Sequence, residues 1–585
     1  MTEIFSRRFE RSLDHLVAAA RAGEAFEAWT FDDTKSRRAA EQKLAAKGVT
    51  ARIRSAYKPL LFYFREEVDL SGVEKIEIRY PVHANAPQNR FRLEAYPLAS
   101  LVGRSKIDFV AREDDGFFYE VSLTRAGKTE TLKVLAPNRV HTDVVGETNV
   151  SPTGWLQHAG DELGERLATD YEALFDEVVG AVSSYPWGRD EPYFEELNIR
   201  VEHPADDEPL DLGDEIVSLR EALHEDLYFS LLEFFQKKSG RPLGDRGLKP
   251  GQIVPEIIKG KSDIAVCIEV RSLSSTFVDC ADQDVEAALE PLAAAQISDV
   301  LESIGGEPFT ARSRSGRIVC ARYVRGNDAA VMISGGQHPN ETTGIVGALR
   351  AARQLTDRQG SHFTISPLEN PDGYALHQRL RLDNPRHMHH AARYTALGDD
   401  LEYRTRENSG RHLHEKEIRL KAQDVSGAQL HVNLHGYPSH EWTRPLSGYV
   451  PRAFAMWTLP KGFFLVVRHH AEWEPQAEAL LDSVTRHLGA IPGLLEYNQR
   501  QIALYEIHAG ETGFRIINGF PCLSSIDDRH EVPMTLITEY PDETIYGDAF
   551  VSGHTAQMET VLSAYAAWQA IVANATQETE SVTSV

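Results

Sequence analysis

The stretch Val331-Met332-Ile333-Ser334-Gly335-Gly336-Gln337-His338-Pro339-Asn340-Glu341 decides the reading of this chain. A short apolar run ends on a Gly-Gly turn, and Ile345, Leu349 and Ala352 then recur at helical spacing. The pattern predicts strand, turn and helix, with an imidazole and a carboxylate delivered on the turn. Two later runs repeat the plan: Leu430–Leu434 leads into His435-Gly436-Tyr437-Pro438, and Met534–Thr538 leads into Glu539-Tyr540-Pro541. Between them Phe363–Ser366 precedes Asn370-Pro371-Asp372-Gly373. Open α/β sheets bind ligands in the crevice outside the carboxyl ends of their strands. Three such ends carrying His, His and Glu point to a metal-assisted reaction.

Two imidazoles and one carboxylate hold Zn²⁺ at about 2.0–2.2 Å and leave a fourth position for water. His338 and Glu341, three residues apart on one turn, can converge on one ion, and His435 is the remote third ligand. A separate carboxylate must take a proton from the attacking water, and Glu539 is the candidate base. His431, on the same strand face as His435, is read as a neighbouring cavity residue. His387, His389 and His390, flanked by Arg386 and Arg393, are read as a loop cluster and not as a second metal site. Asp372 is expected to shape its turn.

These motifs resemble the zinc carboxypeptidase family, the carboxypeptidase A-like metallopeptidases. The similarity rests on H-P-N-E at His338–Glu341, N-P-D-G at Asn370–Gly373, H-G-Y at His435–Tyr437 and Thr538-Glu539 before Ile545–Phe550. Ser313–Arg317 resembles the S-x-x-G-R turn that opens such domains, and Gly398–Leu401 the G-x-D-L whose aspartate, here Asp400, orients a metal-binding histidine. The resemblance covers about residues 285–572. It implies one zinc per chain, held by His338, Glu341 and His435, with Glu539 as general base. Asn370 and Tyr437 become substrate-binding candidates. The implied function is zinc-dependent hydrolysis of an amide bond in a small peptide or N-acyl amino acid, by metal-activated water.

Two departures qualify the substrate. Where the family places Asn-Arg to clamp a C-terminal carboxylate, this chain has Glu402-Tyr403, with Arg404 one residue late and Arg444 a possible substitute. The arginine that would hold the oxyanion is open between Arg381 and Arg386, with Arg379 a third choice. A deacylase or desuccinylase on the same scaffold is therefore the alternative, followed by a non-catalytic binding protein that keeps the fold.

The expected fold class is α/β: a C-terminal mixed sheet flanked by helices over 285–572, preceded by an antiparallel β domain (1–150) and a middle α/β region (151–284). Residues 573–585 form a polar tail. Ile76, Ile78 and Tyr80 alternate with charged residues, as do Phe117, Tyr119, Val121 and Leu123, which predicts hairpins. Helices are predicted through Leu167–Val182 and from Ser218, where Glu221 completes a capping box and Gly240 closes the element. His224 and Glu225 on it are read as surface polarity. The net charge, 62 − 87 = −25, excludes nucleic acid and anionic membranes as main partners. Four cysteines without a C-x-x-C pair suit a reducing compartment. No signal peptide or spanning segment is read, so a cytoplasmic location is expected.

Overall fold

The computed structural model describes residues 1–114, 116–210, 212–274, 277–278, 280–409, 413–452 and 454–583. Its contacts divide the chain into two units. The first comprises Met1–Ser272, His440–Leu459 and Leu504–Glu511; the second comprises Leu273–Ser439, Pro460–Ala503 and Thr512–Val585.

The second unit is built on a nine-stranded mixed sheet. Its strands are β1 (Glu307–Arg312), β2 (Ile318–Val324), β3 (Val331–Gly335), β4 (Phe363–Ser366), β5 (Leu430–Tyr437), β6 (Phe464–His469), β7 (Arg515–Ile517), β8 (Phe520–Ile526) and β9 (Met534–Pro541). They lie in the order β1-β2-β4-β3-β5-β9-β6-β8-β7. The central run β4-β3-β5-β9 is parallel. A parallel sheet is covered on both faces, and here even the polar residues that alternate with the apolar ones, Thr364, His431, Asn433 and Thr535, are buried. Every residue of β3, β4, β5 and β9 is buried.

Helix α1 (Thr343–Asp357) follows β3, and α2 (Asp548–Thr583) closes the unit. Ile345, Val346 and Leu349 from α1 join Val331, Ile333, Val432, Leu536, Phe550 and Val561 in one core. Each such fully buried side chain contributes about 1.5–3 kcal/mol of hydrophobic stabilisation. Gly347 brings α1 close to α2: a Cβ there would lie 2.5 Å from the Gln557 Cβ. Helix α2 continues through the polar stretch to Thr583, while residues 584–585 lie outside the described residues.

The first unit contains the predicted hairpins. Lys75–Pro81 pairs antiparallel with Phe118–Arg125, which turns through Ala126-Gly127 into Lys128–Leu135. Both turn residues have positive φ, 47° and 76°, the twist a two-residue hairpin loop requires. Alongside these antiparallel pairs, two parallel pairs occur in the stretch expected as a mainly antiparallel domain (1–150). Ala25–Thr30 runs parallel to Thr50–Ser55, and Lys75–Pro81 parallel to Lys106–Arg112. Parallel neighbours need a crossover, and the helix Thr34–Ala46, capped by Asp33 on Ser36 N, supplies the first one. Nor do the contacts place a boundary near residue 150, because 1–272 falls in one unit.

The helix Leu219–Lys238 begins at the Ser218 cap, whose hydroxyl accepts from Glu221 N at 3.1 Å. His224 and Glu225 are buried on it, contrary to the surface expected for them. His224 Nδ1 lies 2.7 Å from Pro255 O, and Glu225 accepts from Trp442 Nε1 at 2.8 Å. Burial of a charged or polar group is tolerable when it is bonded in this way.

Candidate active site

Strand register explains why distant residues meet. In the β5–β9 pairing His435 stands opposite Glu539, so both project from the carboxyl ends of neighbouring strands. The turn after β3 reaches the same place. Glu341 N donates to His338 O at 3.1 Å, folding both side chains of the turn inward. The turn is held against the segment following β9: Thr343 N and Oγ1 donate to Asp542 Oδ2 at 2.9 and 2.6 Å, and Asn340 Nδ2 donates to Glu543 at 2.7 Å. Asp542 thereby accepts from the first turn of α1, as a capping side chain does. Gly436 leaves room for it, since a Cβ at that position would lie 2.0 Å from Asp542 Oδ1.

Ligand atoms of His338, Glu341 and His435 all lie within 4.8 Å of one another, and all three residues are buried. His338 Nδ1 and His435 Nδ1 are each 3.0 Å from a different oxygen of Glu341, and 3.0 Å from each other. Two imidazole nitrogens and two carboxylate oxygens aimed at one point fit a zinc ion. On its far side His338 Nε2 lies 3.3 Å from Asp400 Oδ2, a partner that orients the ring so that Nδ1 faces inward. No second group of three such donors occurs among the described residues. His431 Nε2 instead lies 2.7 Å from Ser334 Oγ, and His389 Nε2 lies 3.0 Å from Asn384 O.

The site is electrostatically loaded. Burial raises the Glu341 pKa, but His338, Arg393 and His435 outweigh it and hold the carboxyl well below the usual range. Burial and Arg393 oppose a charged His338, yet Glu341 and Asp400 raise its pKa; at His435 burial prevails and lowers it. Glu539 is driven the other way, well above the carboxylate range, by burial and by the charge on Glu341.

Two cations stand here to which the sequence reading gives no role. Arg393 Nη1 donates to Glu341. Lys461 faces Glu539 among the rings of Tyr437, Phe464 and Phe514, and burial lowers its pKa to about 7 against the opposing pull of Glu539. Arg393 is the last residue of the short helix His390–Arg393, and Lys461 lies in the segment before β6. Neither lies in a motif, so only the three-dimensional placement reveals them.

Several expected substrate contacts are committed elsewhere. Arg404, buried, donates to Asp399 Oδ2 and Oδ1 at 2.8 and 2.6 Å and pairs with Glu415 at 3.3 Å. Arg444 belongs to the first unit, where it grips Glu233 at 2.6 and 3.1 Å. Asn370 accepts from Gly373 N at 2.9 Å and donates to Tyr394 O at 3.1 Å, a helix cap and a loop tie. Tyr437 OH donates to Gly462 O at 2.7 Å and accepts from Lys461 N at 2.8 Å. Arg381, paired with Glu290, and the exposed Arg386 both stack on Tyr546, at 5.8 and 5.7 Å. Asp372 shapes more than its own turn: it accepts from Ser313 Oγ and Arg317 Nη1, each at 2.8 Å, and from Ser315 N at 3.0 Å. The S-x-x-G-R and N-P-D-G segments are thus one structural knot.

The Arg404 arrangement predicts a mutational outcome. Arg404→Ala strands Asp399 and Glu415 as buried acids and is expected to cost about 3–5 kcal/mol of stability. Its KM, measured below the lowered melting point, should stay within about threefold, since a lost charged contact to substrate would cost more. A KM rise of two decades with unchanged denaturation would return Arg404 to the substrate pocket.

No protein-family model and no curated protein matches the chain. Its structural neighbours include metallo-carboxypeptidases, at low identity and partial coverage. The metallo-carboxypeptidase from Burkholderia cenocepacia is 14% identical over 53% of this chain and 77% of its own, with a TM-score of 0.29. Carboxypeptidase A from Helicoverpa armigera is 10% identical over 54% and 90%, also with a TM-score of 0.29. A succinylglutamate desuccinylase/aspartoacylase from Rhodobacter sphaeroides is 12% identical over 44% and 65%, with a TM-score of 0.23.

Proposed function

We propose that the chain is a zinc-dependent amide hydrolase acting on a small peptide or N-acyl amino acid. The observation that carries this is the convergence of His338, Glu341 and His435 beside a buried carboxylate, Glu539, placed opposite His435 by strand register. A zinc ion in that donor set supplies Lewis acidity to the scissile carbonyl and to the attacking water. Glu539 accepts the proton of that water and passes it to the leaving amine. The high proton affinity that burial and Glu341 confer on Glu539 suits a group that must take a proton and then give it back. Arg393, drawn close by Glu341, is the guanidinium that faces the developing oxyanion, in place of Arg381 or Arg386.

Substrate choice follows from what the cations already do. With Arg404 and Arg444 saturated, neither is free to clamp a peptide carboxylate, and Glu402 is itself neutralised by Arg419, Arg468 and His530. This favours acylated amino acids or amidated peptides over free C-termini. Kinetics on paired substrates test it after zinc analysis: kcat/KM for one peptide with free and amidated ends should agree within about tenfold, because no charged hydrogen bond distinguishes them. A 100-fold preference for the free acid would overturn the substrate class while leaving the hydrolase intact. Absence of any metal-dependent hydrolysis across both sets would sink the hydrolase itself.

A further inference from the structure

A second cavity opens in the catalytic unit, away from the reaction site. Its walls include Met332, His431 and Thr535, which lie side by side in the sheet register. His431 and Thr535 stand four residues before His435 and Glu539 on β5 and β9, about 13 Å along a strand. The cavity measures about 70 Å³, which exceeds the space one water needs several times over. Its walls are strongly cationic: five of the lining residues are Lys or Arg and two are Glu.

Most of those charges are spoken for. Arg404 is paired with Asp399 and Glu415, and Arg529 donates to Asp527 at 2.8 and 2.6 Å. Arg419 binds Glu369 and Glu402, and Glu402 also receives Arg468 at 3.1 Å and His530 at 2.9 Å. Lys416 differs from all of these. Only 3% of it is exposed, and its Nζ has no hydrogen-bond partner among the described residues. A buried ammonium without a partner costs several kcal/mol. Burial and the neighbouring Arg419 lower its pKa to about 8, which still leaves it mostly protonated at neutral pH.

We propose that this cavity binds a small oxyanion, a phosphate or a carboxylate group, with the Lys416 ammonium as its principal contact. Lys416 supplies an ammonium with no hydrogen-bond partner among the described residues, facing a lining in which Lys and Arg outnumber Glu by five to two. The cavity communicates with the reaction site through one side chain: Arg419 Nη2 donates to Gln337 Oε1 at 2.7 Å, next to His338. Binding here does not depend on the proposed hydrolase activity.

Titration calorimetry on the full metal-replete chain tests the proposal, with inorganic phosphate in one arm and succinate in the other, at matched ionic strength. At least one should bind, and Lys416→Met should weaken it by roughly tenfold or more, the size of one charged hydrogen bond. Lys416→Arg should restore binding. Without added anion, Lys416→Met should melt no lower than the parent, because it removes an unpaired charge. Binding of phosphate alone assigns phosphate, and of succinate alone a carboxylate. Failure of both anions to bind the parent chain, equal binding by Lys416→Met, or a sharply lower melting point of that variant in anion-free buffer would each overturn the proposal.

Discussion

Glu539→Gln is expected to keep zinc, fold and substrate affinity, and to lose about 10²–10⁴ in kcat, the range spanned by a positioned general acid–base group. The amide is isosteric with the carboxylate it replaces, so the buried packing around β9 has no reason to change. What disappears is the acceptor for the proton of the attacking water. Arg393 remains, but a guanidinium stays charged and cannot accept that proton in its place. Metal analysis and steady-state kinetics on the same preparation check the result. Concurrent loss of zinc would move Glu539 into the ligand set. An unchanged rate would leave the reaction without a base and favour a binding protein that keeps the fold.

The parts of this site legible in the sequence are those written locally. An apolar run that ends on His-x-x-Glu, on His-Gly or on Glu-Tyr-Pro advertises a strand whose end delivers a polar group, and these ends occur at the tips of β3, β5 and β9. Adjacency is not written locally. That β5 lies between β3 and β9, with His435 facing Glu539, follows from sheet order, which no single strand encodes. Arg393 and Lys461 were invisible for the same reason, since each acts on a residue at least 52 positions away. Arg404 misleads in the opposite direction. Its place one residue after the expected clamp invites a substrate role, whereas Asp399 and Glu415, either side of it in the chain, fold back and occupy its fork.

The first unit shows a different limit. Period-two alternation predicts strands through Val73–Tyr80 and Phe117–Leu123, turning back into Leu132 and Val134, but a half-buried strand alternates alike in parallel and antiparallel pairs. Direction had to come from the connections, and the helix Thr34–Ala46 has the decisive one. Likewise nothing in His440–Leu459 marks it as belonging with residues 1–272. His440 lies 2.9 Å from both oxygens of Glu221, and Arg452 donates to Glu233 at 2.7 Å, contacts that span more than two hundred residues.

His435→Ala should strip most of the zinc, while His431→Ala should retain about one ion per chain, a contrast drawn between two histidines on one face of one strand. His435 brings Nδ1 within 3.0 Å of both His338 Nδ1 and Glu341, so its loss leaves one imidazole and one carboxylate, fewer protein ligands than a catalytic zinc site keeps. His431 already spends Nε2 on Ser334, which in turn donates to Asn433. Its removal disturbs a hydrogen-bonded column beneath the site without touching the donor set. The same logic predicts that chelation lowers the melting point of the parent chain, because an ion bound only to the folded state stabilises it by mass action. Chelation should leave His435→Ala nearly unmoved, since that variant has little ion to lose. Elemental analysis and melting curves with and without chelator decide the matter. If His431→Ala loses the ion and His435→Ala keeps it, the ligand set is wrong; if chelation shifts both chains equally, the stabilising ion sits somewhere other than His338, Glu341 and His435.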